Sequence, residues 1–138
     1  MRRSHAQTRV TIGFALAFVT AAALAWVGGD TSWLPLHLFL AGAVVLAISG
    51  VSLMLTVTWS SAPAPPDAIV ALQRLCIAIG AAGVAAGREL ELDTYMVAAA
   101  GAVYLLGLAL LAAMLLATVR RGVERRFDPA VAAYVAAL

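Results

Sequence analysis

The chain reads as an all-α integral membrane protein, an antiparallel four-helix bundle with the start of a fifth helix. Three observations point there. Of 138 residues, 64% are hydrophobic and 12% charged, with a mean hydropathy of +0.99, well beyond what the core of a water-soluble domain requires. Four stretches, at about 10–27, 33–59, 68–87 and 95–119, each approach or exceed the roughly 20 apolar residues that cross the hydrocarbon of a bilayer. They are apolar all round rather than amphipathic. Finally, the net charge of +2 is carried by nine arginines and no lysine, clustered at the edges of these runs. Such clusters are topology signals and not a nucleic-acid surface.

Residues 1–9 form a basic tail with Arg2, Arg3, Arg9 and a solvated His5. The first span, 10–27, has 18 residues without a charge. Its basic start, apolar middle and Ala23-Leu24-Ala25 also resemble a cleavable secretion signal. The length of the run and Trp26 at its end favour an anchored helix. A tight turn, Gly28-Gly29-Asp30-Thr31-Ser32, leads into the second span, which Thr31 or Ser32 can cap and in which Pro35 fits the first turn.

The second span, 33–59, is the most informative stretch: it has no permanent charge, a tryptophan at each end, and a histidine near one end. The connector SSAPAPPD that follows is too rich in proline to continue a helix. The third run, 68–87, carries Gln73 and Arg74 in its first two turns. A charge at mid-membrane costs about 2.5–3.5 kcal/mol, so Arg74 is expected to snorkel to the near interface. After the acidic loop RELELDT, the fourth run, 95–119, holds 25 residues without a charge and can span with some tilt.

Eight of the nine arginines lie at one side of the spans and only Arg88 at the other. The positive-inside rule therefore puts the N-terminus and the segment 120–138 in the cytoplasm of a bacterial cell, with the chain multi-pass in the plasma membrane. Asp128-Pro129 opens a last helix. Its apolar part, 130–138, gives about 14 Å of helix and cannot cross. It reads as a fifth span cut short, with a short helix on the inner surface as the alternative.

Small residues suggest how the helices pack. Cys76, Gly80, Gly83 and Gly87 share one face of the third span, where a neighbouring backbone can approach closely. Ser49, Ser52 and Thr56 add hydroxyls to the second span that can bond within it or across to a neighbour. A lone cysteine excludes an internal disulfide and a paired-cysteine zinc site.

Few residues could carry chemistry. His37 lies about 6 Å inside the outer interface, where it can bond water, a headgroup or a carbonyl, or can ligate haem or copper. Met96 opens the fourth span at a similar depth, so His37 and Met96 form a conceivable axial pair. Toward the other side, Met54, Cys76 and Met114 offer soft sulfur ligands suited to Cu(I), with packing as their ordinary role. Glu89, Glu91 and Asp93 read as a solvated loop. There is no buried carboxylate pair and no nucleophile with an assigned base, so no catalytic constellation is visible. Ionisable groups are missing from the middle of the spans, which argues against a transporter acting alone.

At WLPLHLFLAGAVVLAISG, with Trp33, Leu34, His37, Gly42, Ala43, Ala47 and Ile48, the chain resembles the N-terminal membrane regions of actinobacterial copper oxidase or copper nitrite reductase-like proteins. The segments VTWSSAPAPP, GVAAGREL and RRGVERRFD extend the resemblance, which is more remote to NnrS-type haem and copper membrane proteins. It implies that His37 matches the span-opening histidine of that family. It also implies a membrane region continuing into further helices and, in some members, a C-terminal cupredoxin domain. Some members carry an asparagine and a second histidine later in this span, whereas residues 46–55 here contain neither.

The expected function is accordingly a multi-span membrane domain of a haem- or copper-linked redox protein, an anchor that contributes His37 to electron transfer. Its partners would be the lipid bilayer, a redox protein or the cupredoxin domain, and a second copy of itself. The alternatives are a cofactor-free anchoring or assembly protein and a small-molecule or copper-ion permease subunit using the soft inner residues.

Overall fold

The computed structural model describes residues 2–29, 33–124 and 128–137. Among these, five helices and no strand are found: α1 (Arg2–Val27), α2 (Trp33–Trp59), α3 (Asp67–Glu89), α4 (Thr94–Arg121) and α5 (Asp128–Ala136). The first four are long and apolar enough to cross a membrane. Each of the four expected runs is helical; the second keeps its bounds of 33–59, and the other helices reach one or more residues beyond theirs. No breaker occurs in 2–9, so α1 begins at Arg2 instead of at the first apolar residue. It stops at Gly28-Gly29, where Gly29 takes φ +83°, a conformation that favours glycine. The cap expected at Thr31 or Ser32 lies outside the described residues.

The two connectors that follow α2 and α3 end their helices alike. Ala62 N–H donates to the Val57 carbonyl at 3.2 Å and Ser61 N–H to that of Thr58 at 3.4 Å. Leu92 N–H donates to Gly87 at 2.8 Å and Glu91 N–H to Arg88 at 3.3 Å. Both are Schellman closures, which need a left-handed residue. Here Ser61 (φ 48°) and Glu91 (φ 51°) fill that place instead of glycine. The next helix, α4, opens on Asp93, whose carboxylate accepts from the Tyr95 N–H at 2.7 Å, a side-chain cap for a free helical donor.

Residues Leu38–Val44 of α2 form a π-helical segment, which the uninterrupted apolar pattern gives no reason to expect. Gly42 sits at its centre against the ring of Phe18, and any side chain there would overlap that ring. The Ala41 carbonyl, inside the same segment, accepts a hydrogen bond from the Tyr104 hydroxyl at 3.1 Å. The widened turn thus meets α1 on one side and α4 on the other.

Packing joins two antiparallel pairs, α1 with α2 and α3 with α4, the second somewhat the more extensive. The α3 face expected from Cys76, Gly80, Gly83 and Gly87 is the one that meets α4. A methyl group on Gly80 would lie 2.6 Å from the Tyr104 backbone, on Gly83 2.8 Å from Ala100, and on Gly87 2.7 Å from Val97. From the other helix, Gly107 faces Ile77 and Cys76. The hydroxyls of Ser49 and Ser52 are used within their own helix, on the carbonyls of Leu46 and Ile48. Because 50% of its span is buried, against 17% for α1, α3 is the hub of the bundle. At the arginine-rich end, Val131 of α5 packs into a cluster with Val70, Leu111, Met114, Leu115 and Val119. Beside it the Ser60 carbonyl accepts from the Val123 N–H at 3.0 Å, which ties the α2–α3 connector to the end of α4.

Candidate functional site

At the end of the bundle opposite the arginine clusters, Trp33 and His37 lie one turn apart on α2. Their rings stack with centroids 4.9 Å apart and planes 13° from parallel. The Arg88 guanidinium, at the end of α3, lies over the Trp33 ring at 4.1 Å from its centroid, a cation–π contact. The Nε2 of His37 is 3.0 Å from the Ala81 carbonyl oxygen in α3. A carbonyl can only accept, so Nε2 carries the proton and the ring donates. In the neutral ring Nδ1 then keeps its lone pair. Arg88, Trp33, His37 and Ala81 therefore form one continuous clamp between α2 and α3.

Met96 belongs to the same end but is 60% exposed on α4. Its neighbour Val97 is the residue that meets Gly87. His37 is turned toward α3, Met96 outward. The three sulfur residues also occupy different surroundings. Cys76 is buried against Gly107. Met114 lies seven positions beyond Gly107, about 10 Å along α4, inside the apolar cluster around Val70. Met54 is 52% exposed on α2. Among the described residues, no group of three or more His, Cys, Asp or Glu side chains is placed to hold a metal ion.

The arginine-rich end holds a site that the sequence did not reveal. Arg74 does not extend to water at an interface: it is 4% exposed and is received by α1. One terminal nitrogen, Nη1, donates to the Gln7 carbonyl at 2.8 Å and to the Thr11 hydroxyl at 3.1 Å. The other, Nη2, donates to the Gln7 side-chain oxygen. Thr11 in turn donates to the Gln7 carbonyl at 3.0 Å. A desolvated guanidinium is costly without such acceptors, and α1 supplies them. No signal within α3 could have identified a partner 67 positions away.

Arg74 also lines a partly open cavity of about 440 Å³ between α1, α2, α3 and the proline-rich connector, within the range of small-molecule sites. Beside it, Gln73 is 2% exposed and its side-chain Nε2 has no hydrogen-bond partner among the described residues. Asp67 stands on the same wall, at the first turn of α3. Through Thr11, Gly50 and Met54 the cavity adjoins a groove of about 390 Å³ between α1 and α2, lined by apolar side chains such as Leu16, Val19 and Phe39.

Fold and site together define an all-helical chain with four helices suited to crossing a membrane, clamped at one end and hollow at the other. Comparison with family models, curated proteins and solved structures finds no match.

Proposed function

We infer that this chain is a multi-pass domain of the bacterial plasma membrane whose role is anchoring and assembly, with its arginine-rich end in the cytoplasm. The observation that carries this reading is the use made of His37. Its Nε2 proton is held by Ala81 and its ring is stacked on Trp33, so the histidine joins two helices. The four apolar helices supply the anchor. Their tight α3–α4 seam gives a rigid platform on which another membrane segment or domain can be carried.

A second reading, a haem- or copper-linked electron-transfer domain, has one specific support. Histidines that bind metals commonly donate their other ring N–H to a carbonyl or carboxylate, and His37 makes such a bond, with Nδ1 as the remaining donor atom. The resemblance of the WLPLHLFLAG segment to membrane copper oxidases points the same way.

One experiment separates the two: visible absorption, metal analysis and thermal unfolding of the purified chain and of His37→Ala in mild detergent. Anchoring predicts neither haem nor copper in either protein. It also predicts a loss of about 1–2 kcal/mol in the variant, from one hydrogen bond and one ring contact. Haem or copper that is present in the parent and lost in the variant would overturn it in favour of the redox reading.

A further inference from the structure

We propose that the cavity beside Arg74 is a binding site for a zwitterionic aminophospholipid of the phosphatidylethanolamine type. Its headgroup would sit between α1, α2 and α3, and one acyl chain would lie in the adjoining groove. The argument begins with unused donors. Of the five N–H groups of a guanidinium, three of Arg74 are taken by Gln7 and Thr11. Nε and one hydrogen on Nη2 remain. The Gln73 Nε2 adds two more donors, buried and without an acceptor among the described residues. A native interior rarely leaves such groups unpaired, and the two residues that carry them line a cavity large enough for a ligand. Donors of this kind around one fixed positive charge suit the oxygens of a phosphate.

Two further features select the class of phosphate. Asp67 places a carboxylate on the same wall, within electrostatic reach of Arg74. A purely anionic headgroup would meet repulsion there, whereas a primary ammonium would find its partner. The cavity also continues into an apolar groove. From Thr11 to Val19 the groove follows α1 for about 12 Å, close to the roughly 15 Å of hydrocarbon in one leaflet. A soluble phosphate compound would leave that groove unused; a phospholipid fills both. The headgroup end is the arginine-rich end, so the lipid belongs to the leaflet on that side.

The test is native mass spectrometry of the full chain in mild detergent. It is titrated with phosphatidylethanolamine, phosphatidylglycerol and phosphatidylcholine of identical acyl chains, and separately with glycerophosphoethanolamine and inorganic phosphate. The expected result is a single phosphatidylethanolamine bound at least tenfold tighter than either other lipid, with the two soluble compounds weaker still. Gln73→Leu should weaken that binding about tenfold, and Asp67→Asn should abolish the preference over phosphatidylglycerol. Neither change touches the Arg74 bonds to α1. Ala47→Trp, on the exposed wall of the groove, is an independent variant that should weaken the lipid but not glycerophosphoethanolamine. Equal binding of the three lipids, or no effect of the headgroup variants, would overturn the proposal. Soluble compounds binding as tightly as the lipid would replace it with a site for a free phosphate ester. The site is separate from the anchoring role: a chain that needs detergent to stay in solution yet binds no lipid selectively would refute the site alone.

Discussion

Two glycines make a matched pair for testing the α3–α4 seam. Both Gly80 and Gly101 lie inside helices, so replacing either with alanine gains about 1 kcal/mol of intrinsic helix preference. Their surroundings differ. A methyl group on Gly101 meets nothing within 4 Å, whereas on Gly80 it would lie 2.6 Å from the Cα, N and Cβ of Tyr104. Most of that obstacle is backbone, which cannot rotate away, so α4 must shift. Overpacking of this kind costs about 1–3 kcal/mol, and rigid backbone places the cost near the upper value. Gly80→Ala should therefore lose about 2 kcal/mol net, close to 30-fold in the folding equilibrium, while Gly101→Ala should gain about 1 kcal/mol. The assay is reversible unfolding in mixed detergent micelles with increasing dodecyl sulfate, followed by tryptophan fluorescence and helical circular dichroism. Equal stability of the two variants would show that α3 and α4 do not meet at Gly80, and the close antiparallel seam would have to be abandoned.

Further outcomes follow from the hydrogen bonds and turns. Tyr104→Phe removes the bond to the Ala41 carbonyl and should cost about 0.6–1.7 kcal/mol, as interhelical bonds in membranes do, measured in the same unfolding assay. Glu91→Gly replaces a left-handed non-glycine residue in a helix closure and should raise stability by about 1 kcal/mol; a loss there would mean that the Glu91 side chain has a role of its own. In a Cys76→Ala background, cysteines placed at exposed Ser61 and exposed Glu91 report orientation in intact spheroplasts. A membrane-impermeant maleimide should label the Glu91 position, with the Ser61 position labelled only after lysis, and the reverse pattern would invert the topology.

The spans were legible because a bilayer imposes length and apolarity on any helix that crosses it, and the α3 seam was legible because close backbones demand small residues at helical spacing. The same rules misplace the centre of the bundle. Gln73 and Arg74 make α3 the least apolar of the four runs, yet it is the most buried, since polar side chains in a membrane helix turn inward to partners. Those partners were out of reach. Gln7 and Thr11 look unremarkable on α1, and the acceptor for His37 is a backbone carbonyl, which any residue at position 81 would supply. The π segment left no trace in an apolar run whose every position looks equivalent. At Ser61 and Glu91 the turn residue is not the glycine that would have announced it.

The π segment at Leu38–Val44 also has a mechanical meaning: it sets angle independently of height. An α-helix turns about 100° with each residue, so a helix of fixed length offers only one rotational setting of its top relative to its bottom. A widened turn takes up extra chain without a matching rise and so works as a phase shifter. It lets the ring-bearing first turn of α2 address Ala81 and Arg88 while the lower half keeps its own bearing on α1. Deleting one residue from this segment, Leu40 for example, would let the ladder close as an ordinary helix. Because the widened turn had already absorbed that residue, Trp33 and His37 would keep nearly their present bearing on Ala81 and Arg88. A deletion in the regular part of α2 has no such slack: it would swing the first turn about 100° and alter which neighbour the histidine faces.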